Sequence, residues 1–313
     1  MVQGYLRNYL MQVSSSKRNV YTGICLAVIA TIIWSGNFIV ARGVSKQVSP
    51  ISLAFYRWAI ASVVLIPFAV KQFKKDWPVI KASWHYLFWV SLTGIALFNT
   101  FVYVGAHYTS GINLALISTT SSPIMAVILA RVFLKEKIGG LKVIGIVLCI
   151  IGVLFLLSRG NFKNLFTFQF TGGDGWILLA ALSFAIYNTL VKKKPSAISP
   201  ISFLFAIFSL GTLLLLPFFV WENINSIPIV WTPGLWITIL YLGIGASVIS
   251  FLIWNIAIHR LGSGRTALFG NLIPIFSSIE AVLFLHEQFN WVHITSMGLV
   301  FLGILLANIR SSV

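Results

Sequence analysis

The chain has 313 residues, of which 58% are hydrophobic and 9% charged, and its mean hydropathy is +0.94. This composition excludes a soluble domain and is typical of a polytopic helical membrane protein. The formal net charge is +16, but the basic residues lie in short loops between apolar runs. That placement indicates membrane topology and excludes a nucleic-acid partner, because no soluble element carries a basic face.

Ten apolar runs follow one another along the chain, and each approaches the ~20 residues that a helix needs to cross a bilayer. They predict an all-α membrane protein with ten transmembrane helices, preceded by a polar cytoplasmic tail at residues 1–19 and separated by loops too short for a soluble domain. No cofactor is expected, and membrane lipid is the expected surrounding. The runs cover residues 20–41, 49–70, 85–106, 112–134, 141–158, 174–191, 200–220, 234–258, 265–286 and 291–309.

The loop charges predict the orientation of these spans. Placing the N-terminus in the cytoplasm puts most lysines and arginines on the inside, as the positive-inside rule requires. Ten is an even number of spans, so both termini are expected in the cytoplasm.

The chain contains the same five-span unit twice. Residues 111–152 align without gaps on 262–303, and the tetrapeptide Ser-Pro-Ile-Ser occurs at 49–52 and again at 199–202. The predicted units are 20–158 (spans 1 to 5) and 174–309 (spans 6 to 10). An odd number of spans per copy inverts the second copy, which is the architecture of secondary transporters with a substrate site at the repeat interface. Two copies in one chain make a monomer sufficient for the pore.

Several motifs give the chain a family resemblance. They are Ile-Trp-Ser-Gly-Asn-Phe at 33–38, Phe-Tyr-Arg at 55–57, Phe-Leu-Lys-Glu ending at Glu136 and Phe-Leu-His-Glu ending at Glu287. On these the chain resembles the EamA-like, ten-helix branch of the drug/metabolite transporter superfamily. The resemblance implies two inverted five-helix bundles around a central cavity lined mainly by spans 1, 3, 4, 6, 8 and 9, in a bacterial inner membrane. It also implies alternating-access transport of small metabolites, often the export of amino acids.

Polar and aromatic side chains inside the spans are the candidates for substrate binding, because such groups are costly in hydrocarbon unless they face partners or water. Trp34 and Asn37 share one helical face, as do Asn99 and Tyr103. The alternative is that these groups only bridge packed helices. The candidate substrate-binding residues are Trp34, Asn37, Asn99, Tyr103, Thr119, Thr120, Tyr187, Asn188, Trp254, Asn255 and Asn271.

Glu280 and Arg57 are the strongly charged residues well inside predicted spans. Glu280 is a candidate for proton coupling or for a charged substrate group, with a fixed hydrogen-bonded acid as the alternative. Arg57 is expected to snorkel or to satisfy backbone carbonyls. A contact with a substrate carboxylate and an ion pair with Glu280 remain open.

Two prolines and two glutamates recur at equivalent places and are interpreted as structural or gating residues. Pro123 and Pro274 are expected to loosen their helices and free backbone carbonyls. Glu136 and Glu287 are expected to bond backbone groups where the next helix starts.

The sequence therefore predicts a secondary transporter for a small-molecule substrate, with protons as an open coupling partner and amino-acid export favoured. The alternatives are a multidrug or cation efflux transporter and a non-transporting membrane receptor or assembly protein on the same fold. An enzyme is not expected, because the motifs of intramembrane proteases and nucleotide-binding loops do not occur in the sequence.

Overall fold

The computed structural model describes residues 2–133, 140–158, 160–165, 172–191, 193–226, 228–261, 266 and 269–308, with the side chains of residues 2–18 and of scattered later positions left out. Throughout these ranges the regular structure is helical.

Ten helical spans follow one another within the described ranges, and the ten-helix membrane fold is confirmed. Six of them (α1 from Asn19, α2, α3, α6, α7 and α8) are long and apolar enough to cross a membrane, and shorter apolar helices lie in α5, α9 and α10. The first span continues the preceding segment without a break, because α1 already begins at Val2. The bounds are α1 Val2–Gly43, α2 Pro50–Ala82, α3 Trp84–Ala106, α4 Gly111–Phe133, α5 Gly140–Leu157, α6 Gly172–Val191, α7 Pro200–Asn225, α8 Pro233–Leu240 continued by Tyr241–Ile249 and Ser250–Leu261, α9 Ile273–Leu285 and α10 Trp291–Asn308.

Helices α3 and α8 each contain a π-helical stretch. It covers Leu92–Leu97 in α3 and Tyr241–Ile249 in α8, and the 151-residue repeat offset places one upon the other. A π-helical stretch widens the turn and interrupts the regular hydrogen-bond ladder, and such stretches are frequent at functional sites. Both halves therefore carry the same departure from the α-helix at the same place.

The two halves are inverted, and the pairing of α2 with α7 shows it. The first turn of α2 bonds the last turn of α7, where Glu222 accepts from the Ser52 amide at 2.7 Å. At the other end, Asp76 of α2 accepts from the amide of Ser199 at the start of α7, at 3.0 Å. Helices joined end to start in this way run antiparallel. Ser62 and Thr212, which are repeat equivalents, meet midway with their hydroxyl oxygens 3.4 Å apart.

The pairing of α5 with α10 repeats this arrangement. Ser296 donates to the carbonyl of Gly152 at 2.7 Å, and the Cys149 thiol lies 3.6 Å from the carbonyl of Val300, its own repeat equivalent. A Cβ added at Gly303 would lie 2.7 Å from Cys149 Sγ, so the glycine is what lets these helices approach. Two self-equivalent helix pairs, both antiparallel, define a pseudo-twofold relation between the halves.

The remaining helices exchange partners between the halves. Helix α1 packs on α8 and α9, and α6 packs correspondingly on α3 and α4. The helices expected around a central cavity, namely α1, α3, α4, α6, α8 and α9, therefore also pack across the boundary between the repeats. The central cavity itself stays a prediction.

Candidate substrate site at the junction of α1, α2, α3 and α8

A buried arginine lies where four helices meet. Arg57 of α2 is 4% exposed, and its Nε donates to Ser247 Oγ of α8 at 2.9 Å. Its Nη1 donates to Tyr103 OH of α3 at 2.9 Å and to Asn37 Oδ1 of α1. Tyr103 in turn donates to Asn37 Oδ1 at 3.1 Å. One guanidinium thus ties both halves together through neutral partners.

A glycine in the π-helical stretch of α8 lets this helix pack closely against α2. A Cβ added at Gly243 would lie 2.5 Å from Ile60 Cγ2 and 3.2 Å from the carbonyl oxygen of Arg57, so only glycine allows α8 to approach α2 so closely. Ser247 follows one turn later and meets the arginine, while its own hydroxyl donates to Leu242 O at 2.9 Å.

Several buried polar atoms on α2 and α3 have no hydrogen-bond partner among the described residues. Asn99, one turn before Tyr103 on α3, is 2% exposed, and its Oδ1 has no hydrogen-bond partner among the described residues. The Trp58 ring lies under the guanidinium, 4.8 Å from Cζ, and its Nε1 is likewise without a described partner. Native interiors rarely leave such groups unpaired, so each one needs an explanation.

The expectation that Arg57 snorkels or satisfies backbone carbonyls is wrong. Its side chain points into the protein and bonds side chains of three other helices. Helix α2 is not among the six helices expected around the central cavity, yet its arginine reaches between α1, α3 and α8. That reach is a tertiary feature which helical periodicity does not reveal.

An aromatic cluster adjoins the arginine along α1 and α8. Trp34 packs on Phe251 and Trp254 with ring centroids 5.5 and 5.0 Å apart, and its Nε1 donates to Ala246 O at 3.0 Å. Ala246 precedes Ser247, and Trp34 shares a helical face with Asn37. Polar and aromatic groups are therefore continuous at this junction.

Glu280 lies on the other side of α1. Its Oε1 accepts from Ser35 Oγ at 2.8 Å, while Oε2 is buried without a partner in the described part of the chain. Ser35 and Asn37 are two residues apart, which is about 200° around a helix. Glu280 and Arg57 therefore face different sides of α1, and the ion pair between them that the sequence left open does not form.

Glu287 joins the halves instead of fixing its own hairpin. Its carboxylate accepts from the amides of Gly111 at 2.7 Å and Ile112 at 3.1 Å, at the start of α4. The expectation that it bonds the next helix is wrong, because Asn290 caps α10 by accepting from the Val292 amide at 3.1 Å. A cavity of about 320 Å³ adjoins this contact and is lined by Ser110, Ile112, Asn113, Glu287, Gln288, Asn290, Val292 and His293.

Three carboxylates thus serve the same purpose. Asp76, Glu222 and Glu287 each accept backbone amides at the start of a helix in the opposite half. Helix starts leave amides unpaired and carry partial positive charge, so carboxylates satisfy them well. Asp76 and Glu222 escaped the sequence interpretation because only tertiary packing brings an acid to a remote helix start.

The other predicted site residues are spread over separate places. Thr119 bonds Ala115 O of its own helix at 2.7 Å. Tyr187 is buried and stacks on Phe184, which stacks on Phe98. Asn188 and Asn255 are half-buried. Pro274 starts α9 directly after a 3-10 turn at Gly270–Leu272.

Four predicted residues lie outside what the structure describes. They are Glu136 as a whole and the side chains of Thr120, Pro123 and Asn271. Ser247 and Ser35 were missed by the sequence interpretation. A signal existed for Ser35, which belongs to the motif at 33–38, while nothing in the apolar run of α8 distinguishes Ser247.

Comparison with known proteins agrees with this fold. The model of the EamA-like transporter family matches residues 21–158 and again 171–309. An uncharacterized transporter of Bacillus subtilis, YyaM, is 28% identical over 284 residues, covering 89% of this chain and 90% of its own. An uncharacterized transporter of Archaeoglobus fulgidus is 27% identical over 263 residues, covering 84% and 89%.

More distant similarities extend to plants and to a solved structure. A WAT1-related protein of Arabidopsis thaliana is 26% identical over 264 residues, covering 74% of this chain and 71% of its own. A crystal structure of a protein with 20% identity superposes with a TM-score of 0.58 over 93% of this chain and 96% of that one, which shows a shared fold.

The fold and the twofold family match define an integral, multi-pass membrane protein of the transporter class. The chain belongs to the EamA-like transporter family, in two copies, within the drug/metabolite transporter superfamily. Family and relatives indicate transport of a small molecule rather than catalysis, and the bacterial relatives favour an inner (plasma) membrane.

Proposed function

We propose that this chain exports small metabolites, most of all amino acids or related compounds, by alternating access. The observation that carries the proposal is the junction where a buried polar cluster around Arg57 and Asn37 continues into the aromatic cluster of Trp34, Phe251 and Trp254. Sites for small ligands combine apolar walls with a few convergent polar groups. The export direction follows the family resemblance.

Two features of the fold support alternating access. The halves are inverted copies, so the same repacking carried out in one half and then in the other opens opposite faces in turn. The equivalent π-helical stretches in α3 and α8 supply matching places for α-helical hydrogen bonds to rearrange. Glu287, which bonds the start of α4 across the halves, is proposed as a gate at one face.

Glu280 is proposed as the coupling residue. A carboxylate buried with one oxygen unpartnered is completed either by a proton or by a cationic group of the substrate. Exchange of a proton for substrate at this acid would link transport to the proton gradient. An efflux transporter for organic cations is the second candidate, and the same unpartnered oxygen is the observation that favours it.

The test is counterflow into liposomes that contain the purified chain. Saturable accumulation of a labelled amino acid against an unlabelled one inside is expected for transport. A receptor or assembly protein on the same fold would bind ligand without accumulating it, and accumulation of organic cations alone would favour the second candidate.

We further propose that both termini face the cytoplasm. A reporter that is active only outside the cytoplasm, fused after Val313, should be silent. Activity of that fusion would reverse the orientation.

A further inference from the structure

We propose that Arg57 binds a carboxylate of the transported metabolite, with Asn37 and Tyr103 completing the site. The inference rests on the proposed function and narrows its substrate class to small molecules that carry a free acid group. It depends on the charge, the repeat equivalents and the donor geometry of one junction.

The charge of Arg57 is not paired with a carboxylate in the described part of the chain. Its three described hydrogen bonds go to a serine, a tyrosine and an asparagine, and no carboxylate pairs with it among the residues that the structure describes. Glu280 bonds Ser35 on the far side of α1. Burying an unpaired charge is expensive, and buried charges in proteins are normally paired or bound to a ligand.

The repeat shows that the fold does not need this charge. At the offset of 150 residues that relates the two Ser-Pro-Ile-Ser segments, Arg57 corresponds to Ile207 and Asn37 to Tyr187, both buried, and at the offset of 151 residues Ser247 corresponds to the buried Ala96. These three residues belong to the continuous hydrophobic core. The same arrangement of helices is therefore built in the second half from apolar and aromatic side chains, without a buried arginine.

The guanidinium keeps donor capacity for an anion. The described bonds use Nε and Nη1, and none of them uses Nη2. A carboxylate accepts readily from the planar fork of an arginine, often through two parallel bonds. Asn99 Oδ1, buried and unpartnered one turn before Tyr103, is an acceptor for a donor group elsewhere on the same ligand. The aromatic cluster of Trp34 then faces the apolar part of the molecule.

The test compares L-amino acids with their own carboxamides, which keep the shape and lose the negative charge. Affinities for the purified full chain in detergent are measured by calorimetry at constant ionic strength. At least one acid is expected to bind tenfold or more tightly than its amide, because charge-assisted bonds to a buried arginine discriminate on this scale. In Arg57→Gln the ratio should fall below threefold, and Arg57→Lys should retain part of it.

Matched variants separate binding from folding. Arg42→Gln is the control, since Arg42 of α1 donates to the backbone carbonyl of Ala106 at 2.8 Å and should leave the ratio unchanged. If Arg57→Gln does not fold, Tyr103→Phe keeps the charge, removes one partner and should reduce the ratio severalfold.

A panel in which no acid binds tenfold more tightly than its amide overturns the inference, and so does a ratio that survives Arg57→Gln. Counterflow with wild-type protein distinguishes a failure of the carboxylate site from a failure of the proposed transport function. Saturable counterflow without acid selectivity leaves the transporter standing and removes the carboxylate site, whereas absent counterflow removes the proposed function itself.

Discussion

Two repeat-equivalent helix junctions of this molecule differ in the polarity of their side chains. In the first, Arg57, Asn37 and Ser247 form a buried polar network between α1, α2 and α8. In the second, their repeat equivalents Ile207, Tyr187 and Ala96 pack within the hydrophobic core between α7, α6 and α3. The backbone plan is shared and the chemistry is not.

The difference separates what the fold requires from what the activity requires. Apolar packing at such a junction has no desolvation penalty, whereas burying a guanidinium among neutral partners costs desolvation free energy that no opposite charge offsets. Because the second junction is packed with apolar side chains, the fold itself does not need a buried arginine at the first. The arginine therefore has another role. We propose substrate binding as that role.

Replacing Arg57 by an apolar residue is expected to have the largest effect on transport. Arg57→Leu gives the first junction the character of the second, and counterflow should fall a hundredfold or more, since at least one charge-assisted bond to substrate is lost. Thermal unfolding should change modestly. Ile207→Leu is the matched control and should alter counterflow less than twofold. Equal losses in both variants would assign Arg57 to packing.

Glu280 is the second asymmetry between the halves, because its repeat equivalent is Leu129. Glu280→Gln removes the titrating group and keeps the acceptor for Ser35 Oγ. The wild-type transport rate is expected to vary about tenfold between pH 6 and pH 8, while the variant should be nearly flat, since a residue that exchanges protons imposes its titration on the rate. Glu222→Gln, outside this pathway, should keep the wild-type profile. An unchanged profile in Glu280→Gln would leave the coupling to another group.

Removing a carboxylate that joins the halves should reduce stability more than it reduces selectivity. Glu222→Ala removes the carboxylate that accepts hydrogen bonds from the amide and the hydroxyl of Ser52. The free energy of unfolding should fall by about 1–3 kcal/mol. The thermal unfolding midpoint should fall, and the ratio of acid to amide affinity should not. Glu222→Gln keeps one acceptor oxygen and should fall less. A changed ratio of acid to amide affinity would show that the carboxylate contacts between the halves and the Arg57 site are coupled.

The contact between equivalent residues at α2 and α7 should contribute least. Thr212→Val removes a 3.4 Å bond to Ser62 and the Thr212 bond to Phe208 O, so the change should stay within about 1 kcal/mol. Cysteines placed at both positions should form a disulfide under mild oxidation. Failure to cross-link would contradict the antiparallel pairing itself.

The sequence was sufficient for the architecture and insufficient for the site. The alignment of 111–152 on 262–303 and the odd number of spans per copy predicted the inversion that the α2–α7 pairing shows. The face shared by Trp34 and Asn37 also lies toward α8 and Arg57, as periodicity suggests. Arg57 itself was misread, because helical periodicity says which face a residue occupies and not how far a long side chain reaches between neighbouring helices.

Glu287 was misread for a related reason. Sequence proximity favoured the adjacent hairpin, whereas tertiary packing presents it with the free amides of α4. Contacts between segments that are distant in sequence depend on tertiary packing, and the local sequence around Glu287 does not reveal them.

The most direct measurement is an experimental structure of the full chain with a bound amino acid that the calorimetric panel selects. We expect the acid group of that ligand within hydrogen-bond distance of the Arg57 guanidinium, at about 2.8 Å, beside Asn37 and Tyr103. A ligand bound between the halves with its acid group directed away from Arg57, and with the arginine still held by the same neutral side chains, would contradict this expectation.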